Sequence, residues 1–253
     1  MQITQASTVG DIAAAFPQTM PFFESNYIDY CCGGQSTLES VCELRHLAVD
    51  EFVKDLEKTI DSSPAQPITW TGASLSTLIS HIINVHHVRC RTESERLMSL
   101  LNKVVAKHSA EHTELPKIRR LFAVLSDDLK AHMLDEERTL FPHIEQLEQS
   151  KLGTPTWQSG TFVSVAGSVR EMVENHDEAG ALLGEIRDAS SDYRVPADAC
   201  SSYRALLEGL SQFEHDLRSH VHLENNILFP RACNLEESGR IPAELTRGST
   251  PVT

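Results

Sequence analysis

The sequence contains no long hydrophobic run. No apolar segment among its 253 residues approaches the roughly 20 residues that a membrane-spanning helix requires. Its first residues, "MQITQASTVGDIAAAF", also lack the basic region and the apolar stretch of a secretory signal. We therefore expect a cytoplasmic protein.

Basic residues are also in short supply. Lysine and arginine total 22 against 36 aspartates and glutamates, which gives a formal net charge of -14. Phosphate backbones and anionic membrane surfaces attract clusters of lysine and arginine. The charge balance therefore argues against nucleic acid and membranes as partners.

The sequence lacks a disulfide framework as well. Six cysteines are scattered through a long helical sequence, whereas small secreted proteins space their cysteines closely. We expect reduced thiols, and only the adjacent pair Cys31 and Cys32 stands out.

Strand patterns are missing, and helical patterns take their place. No run clearly alternates apolar and polar residues, whereas long stretches repeat apolar residues at intervals of three and four. Proline, glycine and small polar residues divide these stretches. We predict an all-α protein with a small helical domain carrying the Cys-Cys motif at 1–60, a linker at 61–72, a four-helix bundle at 73–237 and a disordered tail at 238–253. The four long helices are predicted at about 73–107, 116–147, 158–190 and 197–237.

One phrase of the sequence occurs twice. "HVHLENNILFP", which begins at His220, has a counterpart in "HMLDEERTLFP", which begins at His132. Each phrase pairs its histidine with a glutamate four residues later, Glu224 and Glu136. Residues four apart share one face of a helix, and each pair interrupts a stripe of leucines. A single such pair is usually a surface contact, but its recurrence with the same Leu-Phe-Pro ending indicates a shared site.

Each phrase is preceded by a helix that has a histidine in its apolar stripe. His176 precedes His220 by 44 residues, while His87 precedes His132 by 45 and the adjacent His86 by 46. The spacing favours His87, although His86 competes for the inward position. The chain therefore resembles two helical hairpins, each of which supplies one histidine from its first helix and a His-x-x-x-Glu pair from its second.

Six such side chains in a bundle core require a counter-charge. A buried carboxylate without a partner costs several kcal/mol, and a bound cation removes that cost. Four histidines and two glutamates exceed one tetrahedral zinc site, so we predict two iron ions, each with two imidazoles, bridged by both carboxylates. Ferritin-like sites use Glu-x-x-His and more carboxylates, which distinguishes them from this pattern. The predicted ligands are His87, His132, Glu136, His176, His220 and Glu224.

The remaining histidines have ordinary explanations. His108 lies 21 residues after His87, about 31 Å along a straight helix, so we place it outside the site. We expect the others to be solvated or packed against neighbours: His46, His81, His86, His112, His143, His215 and His222.

The repeated motif resembles the hemerythrin-like domain of iron-sulfur cluster repair di-iron proteins. The segments "NHDEAG" around His176 and "HVHLENNILFPRA" carry the resemblance, and "YIDYCCGGQSTLESVC" resembles the short cysteine-bearing domain that precedes it in that family. The resemblance covers roughly residues 5–235. It implies a non-haem di-iron centre in a hemerythrin-like four-helix bundle, and the repair of clusters damaged by nitric oxide or oxidants through release of iron. Damaged or apo iron-sulfur proteins are the partners it implies.

The chain departs from that family pattern at two acidic positions. The residue before the third histidine is commonly acidic but is Asn175 here, and the carboxylate four residues before His132 is the shorter Asp128. If such acids tune the ligands or guide iron outward, iron release depends on how this chain replaces them. Oxygen-carrying hemerythrins use a fifth histidine that has no counterpart here, which implies more open positions at the metals.

Cys31 and Cys32 have two interpretations. Spacing alone favours a structural pair in a turn before Gly33 and Gly34, whereas the resemblance favours a thiol or iron-transfer role. Adjacent cysteines do not easily form an unstrained disulfide with each other, so we expect them to act on another thiol or on the metal site.

Three alternatives to iron donation remain open from the sequence. The first is an enzyme, a di-iron nitric oxide reductase, and the second is a sensor or carrier that binds oxygen or nitric oxide reversibly. The third is a bundle without metal. The sequence leaves open whether the chain acts as a monomer or a homodimer.

Overall fold

The described part of the chain is built from helices and turns. The computed structural model describes residues 1–62, 70–151 and 164–240, and the only strand-like pairing in these ranges is an isolated antiparallel bridge between Thr8 and Thr37. The prediction of an all-α protein, with a small helical region followed by a four-helix bundle, is confirmed.

Four short helices form the N-terminal region. The Thr8 hydroxyl caps the first helix by accepting from Asp11 N–H, and Thr37 caps the third in the same way, as expected of threonine at this position. The spacing in "PFFESNYIDY" predicts one helix over residues 21–30, but the second helix ends at Ser25, because Tyr27 adopts a left-handed conformation with φ 54°. The helices are α1 (Val9–Ala15), α2 (Met20–Ser25), α3 (Leu38–Arg45) and α4 (Val49–Ser62).

The bundle consists of four long helical rods. Three of them contain a short π-helical segment, at Ile82–His87, Glu136–Leu140 and Glu224–Leu228. The rods comprise α5 (Leu75–His81) with α6 (Val88–His108), α7 (Leu115–Asp135) with α8 (Phe141–Lys151), α9 (Val165–Ala189) alone, and α10 (Ser201–Leu223) with α11 (Phe229–Arg240). Helix α6 packs against α7 and α10, and α7 packs against α9.

The predicted segment boundaries are only partly covered by the described residues. The predicted linker begins inside α4, and its last residues, Trp70–Gly72, form a 3₁₀ turn. The first three residues of the predicted tail, from Ser238, belong to α11, and the rest of the tail lies outside the described residues. Residues 158–163, predicted to begin the third long helix, also lie outside them.

Two apolar clusters flank the middle of the bundle. One cluster joins the bundle leucines of α6, α7, α9 and α10 to N-terminal residues such as Ile12 and Tyr30. The other lies toward the opposite end and contains Ile79, Phe141 and Phe229. The small N-terminal region therefore shares a continuous core with the bundle, and a layer of buried polar residues separates the two clusters.

The two hairpins repeat each other in more than the motif. Glu148 accepts hydrogen bonds from the N–H groups of Leu75 and Ser76 at the start of α5, and Glu236 accepts from Val165 N–H at the start of α9. Carboxylates at helix N-termini are favoured by the helix dipole. Glu148 follows Glu136 by 12 residues, and Glu236 follows Glu224 by the same number. Both hairpins therefore close in the same way.

The prolines of the repeated phrase explain two of the π-helical segments. Pro142 and Pro230 directly follow the first residues of α8 and α11, and proline disrupts regular α-helical pairing with the residue four before it. The widened turns Glu136–Leu140 and Glu224–Leu228 absorb that disruption, and π-helical turns occur frequently at functional sites.

Among the described residues, no helix is both long and apolar enough to span a membrane.

Candidate metal centre

The structure brings the six predicted ligands together between the two apolar clusters. All are buried, and His132 is the most exposed at 7%. They form two overlapping groups in which one donor atom from each residue lies within 4.8 Å of the others. We name these groups the first position (His87, Glu136, His220 and Glu224) and the second position (His132, Glu136, His176 and Glu224). Both glutamates belong to both positions.

At the first position the imidazoles face the carboxylates at short range. His87 Nε2 lies 3.4 Å from Glu136 Oε2 and 3.8 Å from Glu224 Oε1. His220 Nε2 lies 2.9 Å from Glu224 Oε1 and 3.1 Å from His87 Nε2. Four donor atoms therefore converge on one point.

The second position repeats this arrangement. His132 Nε2 lies 3.3 Å from Glu136 Oε1, and His176 Nε2 lies 3.3 Å from Glu224 Oε2. The two imidazole nitrogens are 2.9 Å apart. The two oxygens of each glutamate thus point toward different positions, as a bridging ligand requires.

The protein alone does not satisfy these carboxylates. Both oxygens of Glu136 and Oε2 of Glu224 are buried and accept no well-aligned hydrogen bond from the described residues. Buried polar atoms are otherwise nearly always paired, and nitrogen and oxygen donors of this kind suit iron. The donor set and its unpaired oxygens therefore fit two bound cations.

The electrostatics of the site show what a metal would replace. Burial opposes protonation of His87, but contacts with Glu136 and Glu224 outweigh it and raise the pKa of His87 to about 10. Burial likewise opposes protonation of His176, and Glu224 raises its pKa to about 9. Burial alone would raise the pKa of Glu224, yet the surrounding imidazoles hold it well below its usual range. Without metal, two imidazolium charges offset the two carboxylates, and a metal would displace those protons.

The Leu-Phe-Pro ending of each phrase also contributes to the site. The Phe141 ring stacks on His87 with centroids 5.8 Å apart, and Phe229 stacks on His176 at 6.0 Å. Each phenylalanine follows its motif glutamate by five residues and covers the histidine of the preceding helix. The repeated ending therefore excludes water from one side of each position.

The sequence did not reveal which residues support the histidines from behind. His87 Nδ1–H donates to Glu137 Oε1 over 2.7 Å, and His176 Nδ1–H donates to Asn225 Oδ1 over 2.8 Å. Glu137 directly follows Glu136, and Asn225 directly follows Glu224. This shared place in the repeated motif is the sequence feature that could have identified them. Such contacts fix the ring orientation and the tautomer of a ligand.

Asn175 and Asp128, the two residues that depart from the family pattern, lie in different surroundings. The Asn175 amide lies 3.5 Å from His132 Nδ1, so it occupies a supporting place behind a predicted ligand. Asp128 is exposed on α7.

The structure separates His87 from the competing His86. His87 is fully buried at the site, whereas the His86 ring stacks against His220 at 5.5 Å and against His81 at 5.2 Å. Burial, followed by the neighbouring His220, lowers the pKa of His86 to about 3. The π-helical segment Ile82–His87 turns the second of two adjacent histidines inward.

His108, predicted to lie outside the site, contacts a thiol instead. Its Nε2 lies 3.1 Å from Cys200 Sγ, and Cys200 is the N-cap residue of α10. The backbone N–H of Tyr203 and then His108 lower the pKa of the Cys200 thiol to about 7. Among the described residues, neither metal position includes any histidine beyond the four predicted.

The Cys31–Cys32 loop packs directly against the bundle beside the second position. The two sulfur atoms are 3.9 Å apart and unbonded, and Cys32 Sγ–H donates to the His176 carbonyl over 3.6 Å. Asp29 Oδ1 accepts from the N–H groups of both cysteines and from Cys31 Sγ–H at 3.0 Å. Hydrogen bonding with Cys32, burial and the Asp29 charge raise the pKa of Cys31 well above its usual range.

A cavity of about 160 Å³ lies over this loop. Its lining includes Asp29, both cysteines, His176 and Arg218. The cavity joins the thiols to the side of α9 that carries His176.

Comparison with known proteins agrees with this geometry. The hemerythrin HHE cation binding domain matches residues 78–232, and the domain of unknown function DUF542 matches residues 5–60. The fold and the site thus define a hemerythrin-like cation-binding protein with a cysteine-bearing N-terminal region.

The relatives define the family more narrowly. The iron-sulfur cluster repair protein YtfE of Musicola paradisiaca is 33% identical over 225 residues, covering 89% of this chain and 95% of that protein. YtfE of Dickeya chrysanthemi is 35% identical over 225 residues, covering 89% and 96%. YtfE of Escherichia coli O81 is 34% identical over 227 residues, covering 88% and 95%. The chain belongs to this YtfE family of iron-sulfur cluster repair proteins.

Proposed function

We propose that this chain holds two iron ions at the centre and donates iron to repair iron-sulfur clusters damaged by nitrosative or oxidative stress in the cytoplasm. The observation that carries the proposal is the sharing of Glu136 and Glu224 by two groups of buried donors. The names of the relatives, which are iron-sulfur cluster repair proteins, support the same function.

The carboxylates and the histidines have different proposed roles at the centre. Glu136 and Glu224 would be shared by both irons, and each pair of histidines would complete one position. Bound iron supplies an exchangeable ferrous ion for cluster assembly. The flanking phenylalanines and leucines keep water away from the buried carboxylates, which strengthens the attraction between these carboxylates and a cation.

Open coordination favours release over permanent retention. Each position receives two histidines and two shared carboxylates from the described residues, which leaves room for exchangeable ligands. Because neutral imidazole is the ligand, protons compete with iron for these residues. The cluster of carboxylate and thiol groups at Asp29, Cys31 and Cys32 lies beside the second position, and we assign Cys31 and Cys32 an iron-transfer or thiol role there.

Donation can be tested with purified components. The iron-loaded protein is incubated anaerobically with an apo iron-sulfur protein, a sulfide source and a reductant, while cluster absorbance and residual iron are followed. Donation predicts that iron leaves this protein as the cluster forms. Cluster formation at the rate of a control without the protein, with its iron retained, would contradict the proposal.

The same open positions favour a second candidate, a di-iron nitric oxide reductase. The two groups of donors share Glu136 and Glu224, so two metal ions held there would be neighbours, as a reaction that joins two nitric oxide molecules requires. In an anaerobic assay with a chemical reductant, which supplies the two electrons consumed for each pair of nitric oxide molecules, conversion to nitrous oxide over many turnovers would favour this enzyme. Consumption that stops after one turnover would favour donation, and a stable oxygen adduct that releases oxygen without loss of iron would favour a carrier.

A further inference from the structure

The two-fold repeat extends one residue beyond each bridging glutamate, and there the halves differ. The residue after Glu136 is Glu137, which accepts from His87. The residue after Glu224 is Asn225, which accepts from His176. The two acceptors occupy equivalent places, yet one is a carboxylate and the other a neutral amide.

The surroundings of the two acceptors differ as well. Glu137 Oε1 also accepts from Arg91 Nη2 over 2.6 Å, so the carboxylate is held on the bundle. Asn225 Nδ2 instead donates to the Cys31 carbonyl over 3.3 Å. One end of the Asn225 amide therefore holds His176, while the other end contacts the cysteine loop.

The remaining two histidines do not compensate for this difference. His132 Nδ1 has a neutral amide, that of Asn175, at 3.5 Å, and His220 Nδ1 has no hydrogen-bond partner among the described residues. Glu137 is thus the single charged group among the acceptors described behind the four imidazoles. An anionic acceptor raises the basicity of the imidazole it holds, and loss of such contacts typically weakens metal binding 10- to 100-fold.

The next residue fixes the cysteine loop in place. Asn226 Nδ2 lies 3.1 Å from the carbonyls of both Tyr30 and Cys31. Its side chain packs so closely on Gly10 and Gly34 that a Cβ atom at either glycine would overlap it. The π-helical segment after Glu224 thus presents two adjacent asparagines to the loop, and Asn225 links the loop to His176.

We propose that Asn225 is a positioning residue that makes the second position the more exchangeable of the two and couples its hold on metal to the docked cysteine loop. The inference rests on the proposed di-iron function, which it deepens. The first position, supported by Glu137 and Arg91, retains its metal longer. The second position, supported by neutral amides and bordered by the cavity at Cys32, releases its metal first.

The test is iron release from the full-length, iron-loaded protein into an excess of a ferrous chelator under anaerobic conditions. The wild type is expected to lose one iron about tenfold faster than the other, because supporting contacts change metal affinity 10- to 100-fold and a more weakly bound ion leaves faster. Asn225→Asp gives His176 a carboxylate and should slow the fast phase alone. Glu137→Gln gives His87 an amide and should accelerate the slow phase alone. Asn102→Asp, an exposed change of the same kind on α6, should alter neither phase.

A second readout separates positioning from general structural damage. Asn225→Asp removes the amide that donates to the Cys31 carbonyl and so loosens the cysteine loop. Cys32 of the iron-free protein should then react several-fold faster with a maleimide, whereas Glu137→Gln should leave that rate unchanged. ⁵⁷Fe Mössbauer spectra should show one altered iron site in each variant. Loss of both irons in one phase from the wild type, or equal effects of both substitutions on both phases, would overturn the inference. Two-phase release without any cluster assembly would refute donation and leave the inference intact.

Discussion

Replacing either shared glutamate with leucine tests the bridging assignment. Because Glu136 and Glu224 each belong to both positions, one substitution leaves two imidazoles and one carboxylate at each iron. Supporting contacts alone change metal affinity 10- to 100-fold, so loss of a direct ligand at both positions should leave less than about a tenth of the wild-type iron. The assay is iron per chain after reconstitution and desalting.

The same substitutions should leave the bundle folded. Each glutamate is fully buried within an apolar stripe that suits leucine, and an imidazole that loses its carboxylate can stay buried in its neutral form. We expect the unfolding free energy of the iron-free protein, from urea titration, to fall by no more than about 3 kcal/mol. Glu208→Leu, an exposed change on the same helix as His220, is the matched control and should retain two irons. A folded Glu136→Leu or Glu224→Leu variant that also retains two irons would refute the bridging assignment.

Three further predictions concern residues outside the metal positions. The Cys200 thiol, whose pKa is lowered to about 7, should be alkylated by iodoacetamide at a rate that rises with pH to a half-maximum near pH 7. In His108→Ala that midpoint should move up toward the ordinary value of about 8.5, and an unchanged midpoint would contradict the thiol–imidazole contact. Gly34→Ala places a methyl group against Asn226, which holds the cysteine loop, and should lower the unfolding free energy by about 1–3 kcal/mol. Gly184→Ala, where the added atom meets open space, is the control and should not lower it. Glu214→Gln leaves Arg187 and Arg218, both partly buried, without their shared carboxylate and should lower the unfolding free energy by about 3 kcal/mol. A loss below about 1 kcal/mol would show that solvent replaces that ion pair.

The architecture of the bundle could be predicted because its pattern is local. Apolar spacing identifies the four helices, and the repeated His-x-x-x-Glu pair shows which faces meet. The repeated motif identified four of the six residues that the structure brings together, and the near-equal spacing favoured His87 over His86 as the counterpart of His176.

Other features depend on contacts through space. Spacing of three and four residues does not distinguish a π-helical turn from an α-helix, so the widened segments at Glu136–Leu140 and Glu224–Leu228 were not predicted. The early end of α2 follows from the left-handed backbone of Tyr27, which a tyrosine does not signal. The contacts of Asn225 and Asn226 with the cysteine loop join residues about 195 positions apart. No local sequence pattern predicts a contact between residues so far apart in the chain.

The central claim is that iron held at this centre becomes iron in a client cluster. The direct test is to load the protein with ⁵⁷Fe, supply an apo iron-sulfur protein with sulfide and reductant in the presence of natural-abundance ferrous ion, and separate the two proteins. Donation predicts that Mössbauer spectra of the client show ⁵⁷Fe in the new cluster, in an amount that matches the loss from this chain. A client cluster built from natural-abundance iron, with the ⁵⁷Fe still bound at the centre, would contradict the account.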